Sequence, residues 1–373
     1  MGKEVTFIHT SDIHLGRSFK YLLESARDAK DHLNYILLKI GDIAISRRVD
    51  IIFISGDLFD KSDPDLNTVN KFIEFAEKLK DKNIKVVILP GTHDFLSENS
   101  IYKKVDLFKL IPNVYIFRDQ DEFFFEDLSL SVYGVPPISN KTSASPITPF
   151  KKDDRALYHV IMAHGSVQIE GKSAKDDTPI ELEEIKNSFA DYIALGHWHQ
   201  IQDFSVQNVH CFYSGSPELI DLDQINSGFI IYGNLKNKTF ENIKVGEREF
   251  DEIVIDLSSI ESVDMLLTKV RKNSNTNLIR KVVLTGQKRE MLFGLDILEL
   301  TNVAKSYFYF LKIEDKTYTD YKFDYPEDVT LVDKIYTENL LSHIENCKDD
   351  SEKLIYKNAL EEGIALLRGL RKL

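Results

Sequence analysis

Short, largely apolar runs alternate with amphipathic stretches through the first half of the chain. Residues 5–8, 51–54 and 86–89 carry the pattern of strands buried on both faces. Between them, residues 25–47 and 66–80 place apolar side chains at helical spacing. Leu33, Ile36, Leu37, Ile40 and Ala44 share one face of the first helix, and Asp65 is suited to cap the second. The rhythm is strand–helix–strand–helix–strand. From residue 114 it changes. Residues 114–117, 128–135, 159–162, 192–195, 209–213 and 228–232 all read as strands, with a loop rich in Ser, Thr and Pro at 138–149. Residues 235–238 read as the turn of a hairpin that ends near Val245. A two-sheet β-sandwich flanked by helices, within the α/β class, fits this pattern better than a single doubly wound sheet.

The run Gly246-Glu247-Arg248-Glu249 marks a boundary. Beyond it, strands at 250–255, 280–285 and 307–313 alternate with helices at 260–270 and 297–304, a small α/β unit. Two further helices, 331–344 and 354–367, flank a polar CKDDSE turn. The expected division is 1–246, 247–316 and 317–373. A chain of 373 residues exceeds what one core usually serves, which agrees with several domains.

Composition narrows the function. A formal net charge of −13 argues against a protein that coats nucleic acid. It leaves room for a nuclease whose bound cations or local basic groove hold a phosphate backbone. Cys211 and Cys347 are far apart and read as reduced thiols of a cytoplasmic protein. The start MGKEVTFIHTSD runs straight into a strand, so no signal peptide is expected, and no apolar run is long enough to span a membrane.

Chemistry enters with five short motifs. They are Asp12-Ile13-His14, Gly56-Asp57-Leu58-Phe59-Asp60, Gly91-Thr92-His93-Asp94, His164-Gly165 and Gly196-His197-Trp198-His199. Each follows a predicted strand, at the end where loops of an α/β fold gather and ligands bind. Side chains two apart, such as Asp12/His14 and His197/His199, point the same way from extended backbone. Mixed carboxylate and imidazole donors suit Mn, Fe or Zn better than Mg or Ca. Two cations about 3.5–4 Å apart clamp a phosphoryl group and acidify a water. Any one of these strings alone is commonplace, and a lone His at a strand end is usually structural. The ordered set carries the argument for a two-metal phosphoesterase.

The same set resembles the calcineurin-like metallophosphoesterase superfamily, whose pattern is D-x-H, G-D, G-N-H-D/E, G-H and G-H-x-H. More narrowly, HTSDIHLG at 9–16, GDLFD at 56–60, ALGHWHQ at 194–200 and YSGSPE at 213–218 are similar to the SbcD-type DNA-repair nucleases. The resemblance implies one metal on Asp12, His14, Asp57 and His199, and another on Asp57, His164, His197 and the residue at position 92. It implies His93 as general acid or transition-state stabiliser, oriented by Asp94. It further implies Mn-dependent cleavage of DNA, as 3′-to-5′ exonuclease and single-strand endonuclease. Two-fold dimers, a DNA-contacting cap and C-terminal helices that dock on an SbcC-type ABC ATPase complete the expectation. Two positions depart from the pattern: Thr92 stands where Asn is usual, and Asp60 where many of these nucleases carry His. Asp60 is read as tuning the metal from behind a ligand, or as a loop cap. Arg17 and Lys20, just after the first motif, are candidate phosphate contacts on DNA, and Phe123-Phe124-Phe125 is expected to be packing. Two other functions stay open: hydrolysis of a small phosphodiester or phosphomonoester, and a metal-poor scaffold subunit.

Overall fold

The computed structural model describes residues 4–369, apart from 105–108, 110, 120, 148, 170–177, 223, 225 and 320–328. The chain forms two compact units, Met1–Arg248 and Glu249–Leu373.

In the first unit, strands β1 (Thr6–Thr10), β2 (Ile51–Ser55), β3 (Lys85–Leu89) and β4 (Val114–Ile116) run parallel to one another. A second set contains β5 (Glu122–Phe125), β6 (Leu130–Tyr133), β7 (Tyr158–His164), β10 (Tyr192–Gly196), β11 (Gln202–Asp203) and β12 (His210–Tyr213), with a short side pair, β8 (Ser166–Val167) and β9 (Pro179–Ile180). The hairpin β13 (Phe229–Asn234) and β14 (Thr239–Lys244) returns to the first set and pairs antiparallel with β1. The two sheets therefore read β14-β13-β1-β2-β3-β4 and β11-β12-β10-β7-β6-β5. The expected α/β sandwich is present.

Period-two alternation explains the packing. Phe7, Ile51, Phe53, Val87 and Leu89 from the first sheet meet Leu130, Val132, Val160, Met162, Tyr192 and Ala194 from the second in one dry core. The intervening residues Ile8, Ile52, Ile54, Val86 and Ile88 are equally buried, so these strands read as continuous apolar runs. Helices α1 (Ala26–Arg47) and α2 (Leu66–Lys80) pack on each other, and α2 packs on β3. The Asp65 side chain accepts from the Thr68 N–H, and α2 starts immediately after it. On the outer face of the second sheet, Tyr133, Ile161, Ile193, Cys211 and Tyr213 form another core with Ile185 of α3 (Leu182–Lys186). The three phenylalanines form β5: Phe125 enters the core between the sheets, Phe123 packs against it, and the Arg155 guanidinium lies over Phe124.

The second unit is a parallel three-stranded sheet, β15 (Glu249–Asp256), β16 (Leu278–Thr285) and β17 (Phe310–Asp315), connected by α4 (Val263–Arg271) and α5 (Ile297–Ala304). Buried Arg280 is satisfied by Asp251 and by the carbonyls of Val270 and Lys272. Helices α6 (Leu331–Asn346) and α7 (Asp350–Leu367) close over Phe293 through Ile344, Leu360, Ile364 and Ala365, so they belong to this unit. No helix among the described residues is long and apolar enough to cross a membrane.

Candidate metal centre

The topology brings the motifs together. Strands β1, β2 and β3 are parallel, so the loops bearing Asp12/His14, Asp57 and Thr92/His93 leave one edge of the first sheet. Strands β7 and β10 are parallel in the second sheet; His164 is the last residue of β7 and His197/His199 follow β10. Asp12, His14, Asp57 and His164 are all at most 1% exposed. Burying carboxylates and imidazoles in one dry place is costly unless charge balances charge.

Ring tautomers follow from the neighbours. His164 Nδ1 donates to the Ser55 carbonyl at 3.0 Å, so Nε2, 3.3 Å from Asp57 Oδ2, is the nitrogen that either donates to that carboxylate or, deprotonated, would face a cation. His14 Nδ1 donates to Asp60 Oδ1 at 3.2 Å, and its Nε2 lies 3.8 Å from the same Asp57 oxygen. One carboxylate oxygen thus stands between two imidazole nitrogens. His199 Nε2 is 3.9 Å from Asp12 Oδ1, and Gln224 is hydrogen-bonded to the other nitrogen of that ring. Asp12 itself is held by Ser11 Oγ at 2.6 Å and by the His197 N–H at 3.1 Å.

These residues fit divalent cations. His14 Nε2 is buried and, among the described residues, has no hydrogen-bond partner, the condition of a nitrogen facing a metal. A cation with donors at about 2.1 Å keeps neighbouring donor atoms roughly 3.0–3.4 Å apart, close to the separation of His164 Nε2 and Asp57 Oδ2. Donor atoms of Asp12, His14 and His199 converge within 4.8 Å of one another, and so do those of Asp12, Asp57 and His164. The electrostatics agree. Burial opposes a proton on His164, but the Asp57 charge and hydrogen bond outweigh it and push the ring up to about 10. His14 is raised in the same contest, with Asp60 and Asp57 overcoming burial. Positive charge is thus favoured beside Asp57, whereas burial lowers His199 to about 4 and keeps that ring neutral.

The backbone is bent to the same end. Asp12, His14, Asp57 and His197 all have positive φ, at 52°, 53°, 51° and 107°, a region uncommon for residues other than Gly, in which Asn, Asp and His are the most frequent exceptions. Two motif glycines supply room. A Cβ on Gly56 would sit 1.9 Å from His164 Nδ1, and one on Gly91 would sit 2.2 Å from Asp57 Oδ1.

The remaining expected residues fall variously. Thr92 is buried with its hydroxyl 3.3 Å from His164 Nε2 and 3.4 Å from Asp57 Oδ2. His93 stands exposed at the rim, its ring 4.6 Å from that of His14, its N–H donating to Asp57 Oδ1 at 2.8 Å. The ring of His197 lies 5.2 Å from that of His164. Asp94 does not orient the His93 ring. Among the described residues its buried carboxylate accepts from Gly91 N, Phe59 N and Tyr102 Oη, while His93 Nδ1 faces the Asp60 carbonyl at 3.4 Å. The loop curls so that Asp94 fastens backbone. Arg17 is engaged by Asp60 at 3.2 Å and by Asp221 at 2.5 Å, and Lys20 is exposed. Sequence reasoning missed Gln224, Tyr102 and Ser214, whose Oγ lies 3.0 Å from that of Ser11; only Ser214, inside the YSGSPE string, carried any signal.

The sequence profile described as calcineurin-like phosphoesterase matches residues 5–201, more than half of the chain. The chain belongs to the calcineurin-like phosphoesterase family. Membership makes it a hydrolase of phosphoester bonds that works with divalent metal ions. This phosphoesterase is 27% identical to the "DNA double-strand break repair protein Mre11" of Saccharolobus solfataricus, over 94% of the chain and 93% of that protein. It is 22% identical to a protein of Staphylococcus epidermidis that is named as a subunit of the nuclease SbcCD, over 93% and 96% respectively. It is 24% identical to the "Uncharacterized metallophosphoesterase YhaO" of Bacillus subtilis, over 78% and 74%.

Proposed function

We propose that this phosphoesterase is a DNA-repair nuclease of the Mre11/SbcD kind, cleaving phosphodiesters with two Mn²⁺ ions. The observation that carries the reading is the length of the similarity. Proteins named for DNA double-strand-break repair and as part of a nuclease match across both compact units, well beyond the phosphoesterase part.

In this reading Asp12, His14, Asp57 and His199 hold one cation, and Asp57, Thr92, His164 and His197 the other. Bound there, the cations supply positive charge to the phosphoryl oxygens and lower the pKa of a nearby water. Asp57 Oδ2, between His164 and His14, is suited to serve both positions. The exposed His93 ring has Nδ1 turned to the Asp60 carbonyl, so as an imidazolium it would give the proton on Nε2 to the leaving oxygen and return to the neutral Nδ1–H ring. Asp94 keeps that loop closed through Gly91 and Phe59. Partners follow from the same reading: DNA as substrate, a second copy of the chain, and an SbcC-type ABC ATPase docking on the exposed apolar residues of α6 and α7, among them Leu331, Ile335 and Ile355. Residues 247–316 then act as the DNA-contacting cap.

End-labelled linear DNA with Mn²⁺ tests this. The wild type is expected to release mononucleotides from the 3′ end. His93→Ala is expected to lose about 10²–10⁴-fold in rate while still binding metal. Turnover of bis(p-nitrophenyl) phosphate without any cleavage of DNA, alone or with the ATPase, would favour a small-substrate enzyme instead.

A further inference from the structure

Both imidazoles of the Asp12/His14/His199 group are held from behind by side chains far apart in sequence. His14 Nδ1 donates to Asp60 Oδ1 at 3.2 Å. The same oxygen receives Arg17 Nη1, also at 3.2 Å. The other terminal nitrogen of Arg17 reaches Asp221 Oδ1 at 2.5 Å. Three residues beyond Asp221, Gln224 is hydrogen-bonded to His199 Nδ1, and its Oε1 is fixed by the Ile220 N–H at 3.1 Å. The side-chain contacts thus run His14–Asp60–Arg17–Asp221, and Gln224 separately backs His199. His164, of the other group, is backed by main chain, the Ser55 carbonyl.

Both terminal nitrogens of Arg17 are already engaged by carboxylates, Asp60 and Asp221, and its side chain is only 20% exposed. The carboxylate–imidazole contact at His14 fixes the tautomer, aims Nε2 inward and raises its strength as a ligand. Without Arg17, Asp60 loses its cationic partner and is free to turn outward, and the His14 imidazole loses a fixed support.

We propose that Arg17 is a positioning residue rather than a DNA contact: held between Asp60 and Asp221, it sets the affinity for the cation on Asp12, His14 and His199, and for that cation alone. The inference rests on the two-cation reading above.

Calorimetric titration of Mn²⁺ into the metal-free full-length protein tests it, with wild type, Arg17→Met and Asp221→Asn. The two variants cut one link from opposite ends, at partly exposed positions where folding is preserved in at least one. The wild type is expected to bind two cations. Each variant is expected to weaken one binding step roughly 10–100-fold and leave the other in place. The Mn²⁺ needed for half-maximal DNA cleavage should rise by the same factor, with the KM for DNA at saturating Mn²⁺ unmoved. Two unchanged Mn²⁺ steps with a raised KM for DNA would make Arg17 a phosphate contact and overturn the inference. Equal weakening of both steps would overturn it too, as a general structural effect. A wild type that binds no Mn²⁺ removes the two-cation reading and this inference with it; the other outcomes leave that reading standing.

Discussion

Single atoms decide much at the metal centre. Gly56 has φ of 91°, and a methyl group there collides with His164 Nδ1. Gly56→Ala is therefore expected to displace His164, abolish one Mn²⁺ site and destabilise the fold by more than about 1 kcal/mol; metal analysis and thermal melting check both. His9 offers a pH test. It is fully buried, its Nε2 donates to the Leu195 carbonyl at 3.1 Å and its Nδ1 accepts from Tyr192 Oη at 2.9 Å. Burial lowers its pKa to about 3. Below the unfolded value of about 6.5, the unfolded chain takes up a proton that the folded chain refuses, so stability falls as pH drops from there towards the folded value. By this route the protein should lose about 2 kcal/mol between pH 6.5 and 5. Denaturation midpoints in chelator at the two pH values should move less for His9→Asn than for the wild type. At this scale the sequence was readable where chemistry sits in short strings, as in Asp12-Ile13-His14. It was silent on Arg17–Asp221, a contact across 204 positions. It misled on Asp94, because adjacency to His93 in the chain does not mean that the two side chains meet.

Elements were most legible where local and tertiary signals agree. Helix α2 runs Leu66–Lys80 as its apolar spacing and its Asp65 cap require. Asp65→Ala removes the acceptor for Thr68 N–H and is expected to cost about 1 kcal/mol in urea unfolding, with phosphoesterase activity at 25 °C retained. Where an element is too short for a period to show, the sequence reading had nothing to count. Helix α3 has five residues and strands β8, β9 and β11 have two each. Strand β5 was read only as packing, because three successive phenylalanines show no alternation. The order of strands within each sheet was also hidden. Burial patterns identify strands but not their neighbours, and nothing local in residues 229–234 announces that they pair with β1.

The whole molecule divides its labour between two cores. Every candidate ligand lies in Met1–Arg248, around a sandwich with its own apolar interior. Glu249–Leu373 has a separate core built on β16, with α6 and α7 fastened over Phe293. A chain cut after Arg248 is expected to fold, bind Mn²⁺ and hydrolyse bis(p-nitrophenyl) phosphate, while cleaving linear DNA at least tenfold more slowly than the full chain. DNA cleavage undiminished by the cut would remove the second unit from substrate binding. The left-handed backbone at Asp12, His14, Asp57 and His197 has a further consequence at this scale. Such conformations are each unfavourable by about 1–3 kcal/mol. The fold holds this tension ready before any ion arrives, and an ion that binds only the folded chain adds to stability. Melting temperature then becomes a gauge of occupancy, and a chelator acts on this protein partly as a denaturant.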